Sequence, residues 1–550
     1  MTRYLIPTLA AAMALTGCAV SHDAPEVIPT ATPSAESASM PSPQPTPPAT
    51  PPMALGLPDP SGIVVACESN ALVLPLGDSF GAASRIVAQE EWLYVLIDGA
   101  LYRIARAGAD VGTPQIEPVI VREQDVAGRP VQELVDLAAD PATSALLALD
   151  KVGHVYRYEP STGGLTLVYR AAPNNGDPSW IEPQVVALAV GPEGDVLLLD
   201  TTHSALWQPD GLSALAAVGE AAEMEWGVDV AVVDDEIYVL GHDGSIGRII
   251  RPSGMAAWRG APAEPGLMLA LRSSDHLGVP LLFVVDGLNR RIIGLDPATG
   301  ESVTATRFAF PEMGLLRDAD FAGGRLYAVA DAMLIIFPGP ETGDGCAPVD
   351  VYVAPWLYGE DPTGALADAA FPTPGGWLPP WSRLYPGANR LYRMGIHSGV
   401  DIYEYTAFPG FGVGSPVVAI ADGQVIEESL DYEPVLSEEF DALVAESQAL
   451  GVTPPEAMMR FYGRRVAIAH AGGVQTVYAH LSELAPEITL GAEVVRGQII
   501  GAVGVSGTMG EDAPGTVVPH LHAEIWIGER YLGEGITLRE TMWWFEQIFE

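Results

Sequence analysis

Five side chains suited to metal binding or proton transfer sit in three short segments of the C-terminal half. The first segment is Met394-Gly395-Ile396-His397-Ser398-Gly399-Val400-Asp401-Ile402, and the second is Val474-Gln475-Thr476-Val477-Tyr478-Ala479-His480-Leu481-Ser482. The third is Pro519-His520-Leu521-His522-Ala523-Glu524-Ile525-Trp526. A zinc ion takes imidazole and carboxylate ligands in a tetrahedron, and catalysis needs one corner left to water. The third segment alternates as a strand does, so His520 and His522, two residues apart, point into one groove. Gly399 gives the chain freedom to turn, which lets His397 and Asp401 converge on a single ion. One imidazole, one carboxylate and a second imidazole can therefore come from remote stretches, with further histidines left to move protons. A single His-x-His on a strand is ordinary packing, but half of the chain's ten histidines fall between 397 and 522. His470, in Ala469-His470-Ala471, is the one of these that reads as structural. The chemistry such a set supports is hydrolysis by a water whose acidity the cation has raised.

The three segments resemble those of the lysostaphin-type, or LytM-like, zinc endopeptidases, whose pattern is His-x-x-x-Asp, then Tyr-x-His-Leu, then His-x-His. The similarity extends through Val417-Val418-Ala419-Ile420-Ala421-Asp422-Gly423-Gln424-Val425 and Gly497-Gln498-Ile499-Ile500-Gly501. It implies one zinc ion per chain, held by His397, Asp401 and His522, with His480 and His520 as the catalytic pair. Of that pair, His520 beside the ligand is the better placed to act as general base, leaving His480 to stabilise the oxyanion. The family cuts peptide bonds in peptidoglycan cross-links or bridges, so the implied substrate is the peptide part of the cell wall. Relatives that only activate amidases have lost ligands, whereas this chain keeps all of them. A non-catalytic envelope module and an endopeptidase acting on secreted proteins are the alternatives. Two departures stand out: Ala523 replaces the family's usual Phe, and Glu428 to Arg465 is an insertion between strands normally joined more briefly. The stretch Thr508 to Val518 is also long, and is expected to form a groove-side loop.

The elements that must position these residues are mostly strands. Within the insertion, Ser437 opens a helical pattern that Gly451 ends. Thr453-Pro454-Pro455-Glu456 reads as a capping box with proline at the first helical position, starting a second helix that Gly463 stops. This hairpin is expected to be a lid or substrate selector, or mere decoration. Thr537-Leu538-Arg539-Glu540 caps a last helix, whose Trp544, Ile548 and Phe549 dock on the domain.

Upstream, residues 61–346 carry a loose repeat in which apolar strands alternate with polar turns. Six units begin near Ser84, Leu134, Val185, Gly227, Gly266 and Leu315, each read as three strands. Such a period is that of propeller blades, and the region resembles six-bladed propellers of the NHL kind. Its histidines, His154, His203, His242 and His276, occur singly and read as structural, because no second ligand type recurs at metal spacing. A propeller is a scaffold, so what it binds, a protein partner or another ligand, stays open.

The expected fold class is thus all-β and multidomain: a six-bladed β-propeller, then a mostly antiparallel β peptidase domain over 347–550 with its helical insertion at 428–465. Before them lie a leader and a tether. Residues 1–18 contain an apolar run and Leu15-Thr16-Gly17-Cys18, which resembles the lipobox of bacterial lipoproteins and implies lipid attachment at Cys18. Residues 19–60 are rich in Pro, Ser and Thr and read as an extended spacer. Export and a membrane anchor place the chain in the cell envelope. There the two remaining cysteines, Cys67 and Cys346, bracket the propeller and are expected to form a ring-closing disulfide. With 27 Lys and Arg against 70 Asp and Glu, the net charge of -43 excludes a phosphate backbone as partner.

Overall fold

The computed structural model describes residues 63–66, 71–76, 83–109, 114–173, 181–250, 255–259, 266–274, 279–310, 313–331, 333–337, 363–513, 515 and 517–549. Cys18, Cys67, Cys346, His276 and the 19–60 spacer lie outside the described residues, and with them the lipid anchor, the tether and the disulfide.

The chain is all-β and built in two parts. The first is a ring of six antiparallel sheets, whose innermost strands are Ala83–Ala88, Leu134–Ala139, Val185–Val190, Gly227–Val233, Met268–Ser274 and Leu316–Ala322. These six starts coincide with the six repeats. Each blade has a further, outer strand that the repeat pattern did not contain, such as Leu215–Glu220 or Ser302–Phe308. The reason is exposure: outer strands face water on much of both faces, so they lose the apolar alternation that marks inner ones. Leu72–Pro75 supplies the outer strand of the last blade by pairing with Met333–Phe337, so a strand from before the first blade closes the ring. Ile63–Ala66 adds a fifth strand, in parallel, to the fifth blade. Between blades, apolar side chains interdigitate, as Leu96 and Ile120 do with Leu137 and Leu146.

Around the axis, buried carboxylates tie blade to blade. Asp136 accepts the Leu188 N–H at 2.7 Å, Asp229 that of Leu271 at 2.9 Å, and Asp318 that of Ile86 at 2.9 Å. Arg85 meets Asp136 at 2.8 Å, and Arg272 bridges Asp229 at 3.1 Å and Asp318 at 2.6 Å. Buried charge survives only when paired and hydrogen-bonded, as here. His154 and His203 have the packed, hydrogen-bonded places of structural histidines. His154 is fully buried and its Nδ1 accepts the Ala171 N–H at 3.0 Å, while His203 hydrogen-bonds Asp200 at 2.5 Å.

The second part is an antiparallel sheet in the order Val400–Ile402, Leu521–Ile527, Val474–Ala479, Val466–Ala469, Gly423–Glu428, Glu493–Val494. A three-stranded sheet, Pro416–Val418, Ile499–Val503 and Leu481–Leu484, packs on it around Val417, Ile468, Tyr478, Leu481 and Val503. The insertion forms helices Ser437–Leu450 and Pro455–Tyr462. Gly451 ends the first in the left-handed region, φ 76°, as a glycine allows. The capping box does not form. Pro454 is the cap residue, and Thr453 instead exchanges hydrogen bonds with Arg393, its hydroxyl reaching the Arg393 carbonyl at 2.7 Å. The last helix, Leu538–Phe549, buries Trp544, Phe545 and Ile548. Its Glu540 does not turn back to cap the helix but reaches across to the propeller.

The two parts are docked through buried polar contacts. Arg317 lies fork-to-fork on Glu540 at 2.9–3.1 Å, both about 1% exposed. Lys151, buried and paired with Glu133, donates to the Gly533 carbonyl at 2.7 Å, and Glu133 also accepts from Tyr531 and the Gly535 N–H at 2.6 Å. Arg530 grips Asp98.

Candidate metal centre

Strand register brings the first ligand pair together. Asp401 lies directly opposite His522 on the neighbouring strand, and Ala479 opposes His522 on its other side, so these side chains share one face at touching distance. His397 closes the group from the turn before Val400–Ile402. Its Nε2 lies 2.9 Å from Asp401 Oδ1 and 2.9 Å from His522 Nδ1, and those two are 3.0 Å apart. All three residues are buried, at 3–5% exposed. Gly399 is required for space rather than for turning: a Cβ there would lie 2.6 Å from the Ala523 carbonyl and 2.7 Å from the His522 ring.

Three lone-pair atoms this close repel unless a cation or a shared proton lies among them. About 3.3 Å is the separation of ligand atoms around a tetrahedral ion with bonds of 2.0–2.1 Å, so the donor set and its spacing fit a small divalent cation. The ring contacts prepare the atoms for it. His397 Nδ1–H points to the Tyr385 carbonyl at 3.2 Å, which leaves Nε2 as the lone pair. His522 Nε2–H donates to Glu524 at 2.9 Å, which leaves Nδ1. Such partners set tautomer and orientation. Burial, with Arg390 nearby, pushes His397 down to about 3. Burial would lift Asp401, but His397, His522 and Arg390 hold it well below the carboxylate range. His522 is lifted to about 9 against its burial by Asp401 and Glu524, and Glu524 is held at about 2 against its own burial, chiefly by His522. A cation held by these three residues would take the place of the proton on His522 Nδ1.

His480 and His520 join the cluster from its flank, their ring centroids 4.7 Å apart and His480 5.7 Å from His522. His480 sits in the left-handed region, φ 59°, which costs roughly 1–2 kcal/mol for a residue with a Cβ. The Tyr462 and Arg464 carbonyls hold it there by accepting the His480 and Leu481 N–H groups, both at 3.0 Å. His480 Nδ1–H donates to the Ser506 carbonyl at 2.8 Å and His520 Nδ1–H to that of Val518 at 3.1 Å. Each ring thus keeps Nε2 as a base, and burial lowers both below the ordinary histidine value. His520 also stacks on Tyr403 at 4.6 Å. His470 is elsewhere, bonded to the Asp422 carbonyl and to Thr476, both at 2.8 Å.

All five residues expected at the site line one cleft of about 610 Å³. The insertion contributes Phe440, Val444, Met458 and Phe461 to its wall, the 508–518 stretch Thr508, Met509 and Val517, and the propeller Ile181, Glu182, Gln184 and Thr202. Three supporting residues were not anticipated. Glu524 has a signal in the sequence, since it lies two residues beyond His522 on one strand face. Arg390, 2.8 Å from Asp401 Oδ2, and Tyr462, whose hydroxyl donates to Glu524 at 2.7 Å, have none.

The fold and the site define a propeller-bearing chain with a metallopeptidase-type centre. Residues 395–533 match the family described as Peptidase family M23, which makes this segment a peptidase domain. Among solved structures, the catalytic domain of the prophage-encoded M23 protein EnpA from Enterococcus faecalis is 21% identical over 25% of this chain and 74% of that one, with a TM-score of 0.16. Virginiamycin B lyase from Staphylococcus aureus is 11% identical over 48% of this chain and 98% of that one, TM-score 0.35. A streptogramin B lyase is 13% identical over 47% of this chain and 80% of that one, TM-score 0.34. At identities and scores this low these likenesses carry no argument about activity. No curated protein matches the chain.

Proposed function

We propose that the chain is a zinc endopeptidase that hydrolyses peptide bonds in the stem peptides, cross-links or bridges of peptidoglycan, tethered in the cell envelope by lipid on Cys18. The observation that carries this reading is the meeting of His397 Nε2, Asp401 Oδ1 and His522 Nδ1 within 3.0 Å of one another at the foot of an open cleft, beside two more imidazoles. Those three residues would hold the zinc ion, which when bound would supply Lewis acidity toward water and the scissile carbonyl. His520 and His480 both present an Nε2 lone pair, so each is a base at neutral pH. His520 takes the proton of the attacking water, as its place next to His522 suggests. A ring so protonated becomes the donor that the leaving amine needs. His480 can steady the developing oxyanion only as an imidazolium, with a proton taken from solvent at Nε2 in addition to the one that His520 passes on. The cleft is wide enough for several peptide residues, in the usual range for ligand sites.

The experiment is digestion of purified sacculi by the zinc-loaded protein, by chelator-treated protein and by Asp401→Ala. New amine termini that appear only with the zinc-loaded wild type support the reading. No release at all would make the chain a non-catalytic module, and cleavage of proteins but not of sacculi would move the substrate to secreted proteins.

A further inference from the structure

We propose that the propeller is part of the metal centre. Its 181–184 loop positions the Asn389–Arg393 segment, and through that segment the ligands His397 and Asp401. The inference rests on the zinc reading above and adds a role for residues outside the peptidase domain.

The loop itself is fixed by the third blade. The Gln184 N–H donates to Asp200 at 2.9 Å, and the Gln184 carbonyl accepts the Thr201 N–H at 3.1 Å. From there the loop grips the peptidase part at both ends of a short stretch. Gln184 Oε1 accepts the Asn389 N–H at 2.9 Å, and Asn389 Nδ2 donates to the Pro183 carbonyl at 2.7 Å. Gln184 is 2% exposed and Asn389 6%, so losing either bond leaves a largely buried polar group without its partner. Glu182 accepts the N–H groups of Leu391 and Tyr392, satisfying donors at the start of the 3-10 turn Leu391–Arg393.

The gripped stretch then holds the ligands. Asn389 and Arg390 pair with Ile396 and Gly395, next to His397. The pairing continues through Gly387 N–H to the His397 carbonyl at 2.8 Å and His397 N–H to the Ala388 carbonyl at 2.7 Å. The Arg390 guanidinium takes Asp401 Oδ2 at 2.8 Å, which turns Oδ1 toward the imidazoles. Tyr385, earlier in the same stretch, sets the His397 tautomer. Without the propeller loop, this stretch has lost its outer hydrogen-bonding partner, and His397 and Asp401 the support that orders them. Gln184 and Asn389 are therefore positioning residues.

The test is zinc affinity of the full chain, by competition with a chromogenic chelator, for wild type, Gln184→Met, Asn389→Ala and the double variant. Loss of a group hydrogen-bonded to a ligand typically weakens metal binding by about 10- to 100-fold, and these two residues act one step further out, at the low end of that range. We expect about tenfold from each single variant. The double variant should stay near tenfold rather than reach the roughly hundredfold of independent effects, because the two side chains act through one clamp. A Gln184→Met protein that melts as wild type and binds zinc as wild type overturns the inference, as does a double variant that is fully additive. If Gln184→Met does not fold, Asn389→Ala decides alone, with unchanged zinc affinity as the overturning result. A wild-type chain that takes up no zinc would sink the zinc reading as well, which separates the two failures.

Discussion

Replacing Glu524 by glutamine isolates the role of one buried carboxylate that touches no substrate. Glu524 is 1% exposed and takes four donors. Oε1 accepts from His522 Nε2 at 2.9 Å, from the Tyr462 hydroxyl at 2.7 Å and from Ser398, while Oε2 accepts from the Trp526 indole at 2.6 Å. A glutamine has one carbonyl oxygen, so at best it serves the first three and turns its amide N–H toward the indole N–H. One charge-assisted bond is lost, costing about 1.5–3 kcal/mol, and the other three weaken because charge-assisted bonds are about twice as strong as neutral ones. The expected loss of folding stability in the zinc-free protein is on the order of 3 kcal/mol, read by denaturant titration.

The metal should feel the change separately. A carboxylate behind the imidazole raises its basicity and locks Nε2–H in place, and its loss typically weakens metal affinity about 10- to 100-fold. That range corresponds to about 1.4–2.7 kcal/mol at 25 °C. Competitive chelation reads it directly on the folded protein. Zinc affinity within twofold of wild type would refute the reasoning even if stability fell, because the carboxylate would then serve the fold and not the ligand.

Three further outcomes are expected. Among the described residues, Glu540→Ala leaves the buried Arg317 guanidinium with the partly exposed Asp331 at 2.7 Å as its one carboxylate partner. Stripping one partner from a buried pair costs about 3–5 kcal/mol, and Arg317→Met with Glu540→Leu should recover most of it in denaturant melts. Glu182 is raised by burial to about 7, above the ~4.3 of an unfolded chain. The folded state therefore holds its proton more tightly, and wild-type stability falls as pH climbs between those values. In zinc-free protein Glu182→Gln should be more stable than wild type by on the order of 2 kcal/mol at pH 8 and equal to it at pH 4, and a gap independent of pH would count against this. His480→Ala should keep zinc affinity within a few-fold while turnover on sacculi drops by about 100-fold or more, and a matching loss of zinc would place His480 among the ligands.

What was legible in the sequence was whatever depends on short spacing. His397, Asp401 and His522 could be picked out because strand period and motif order survive without knowledge of the rest, and Glu524 was within reach of the same period. Gly399 was marked for the right residue and the wrong cause, since close approach of the His522 ring is a tertiary fact. The capping box at Thr453 failed because Arg393, remote in sequence, competes for the same hydroxyl. The six blades showed through their inner strands, while the outer strands, wet on much of their surface, left no pattern. Arg390, Gln184 and the Arg317–Glu540 fork were out of reach, because docking of one part on the other writes no periodicity into either.

The same docking bears on the insertion at 428–465. A lid needs a hinge, and a decoration needs no ties to the site. The hairpin has ties at every turn. Tyr432 and the Val435 N–H reach Glu511, Ser437 reaches Asp512, and Gln448 donates to the Tyr392 carbonyl at 2.9 Å. The propeller holds its far end, Arg129 donating to the Gln448 carbonyl at 2.7 Å and Gln132 to that of Gly451 at 3.3 Å. At the near end, Tyr462 supports Glu524 and the Tyr462 and Arg464 carbonyls hold His480 in its left-handed conformation. Swinging this hairpin outward would release the carboxylate that orients one ligand and the backbone that aims one base. These ties also fix the wall that Phe440, Val444, Met458 and Phe461 present to the five site residues. Side chains ordered before a ligand arrives are one way that positioning lowers a barrier without a closing motion.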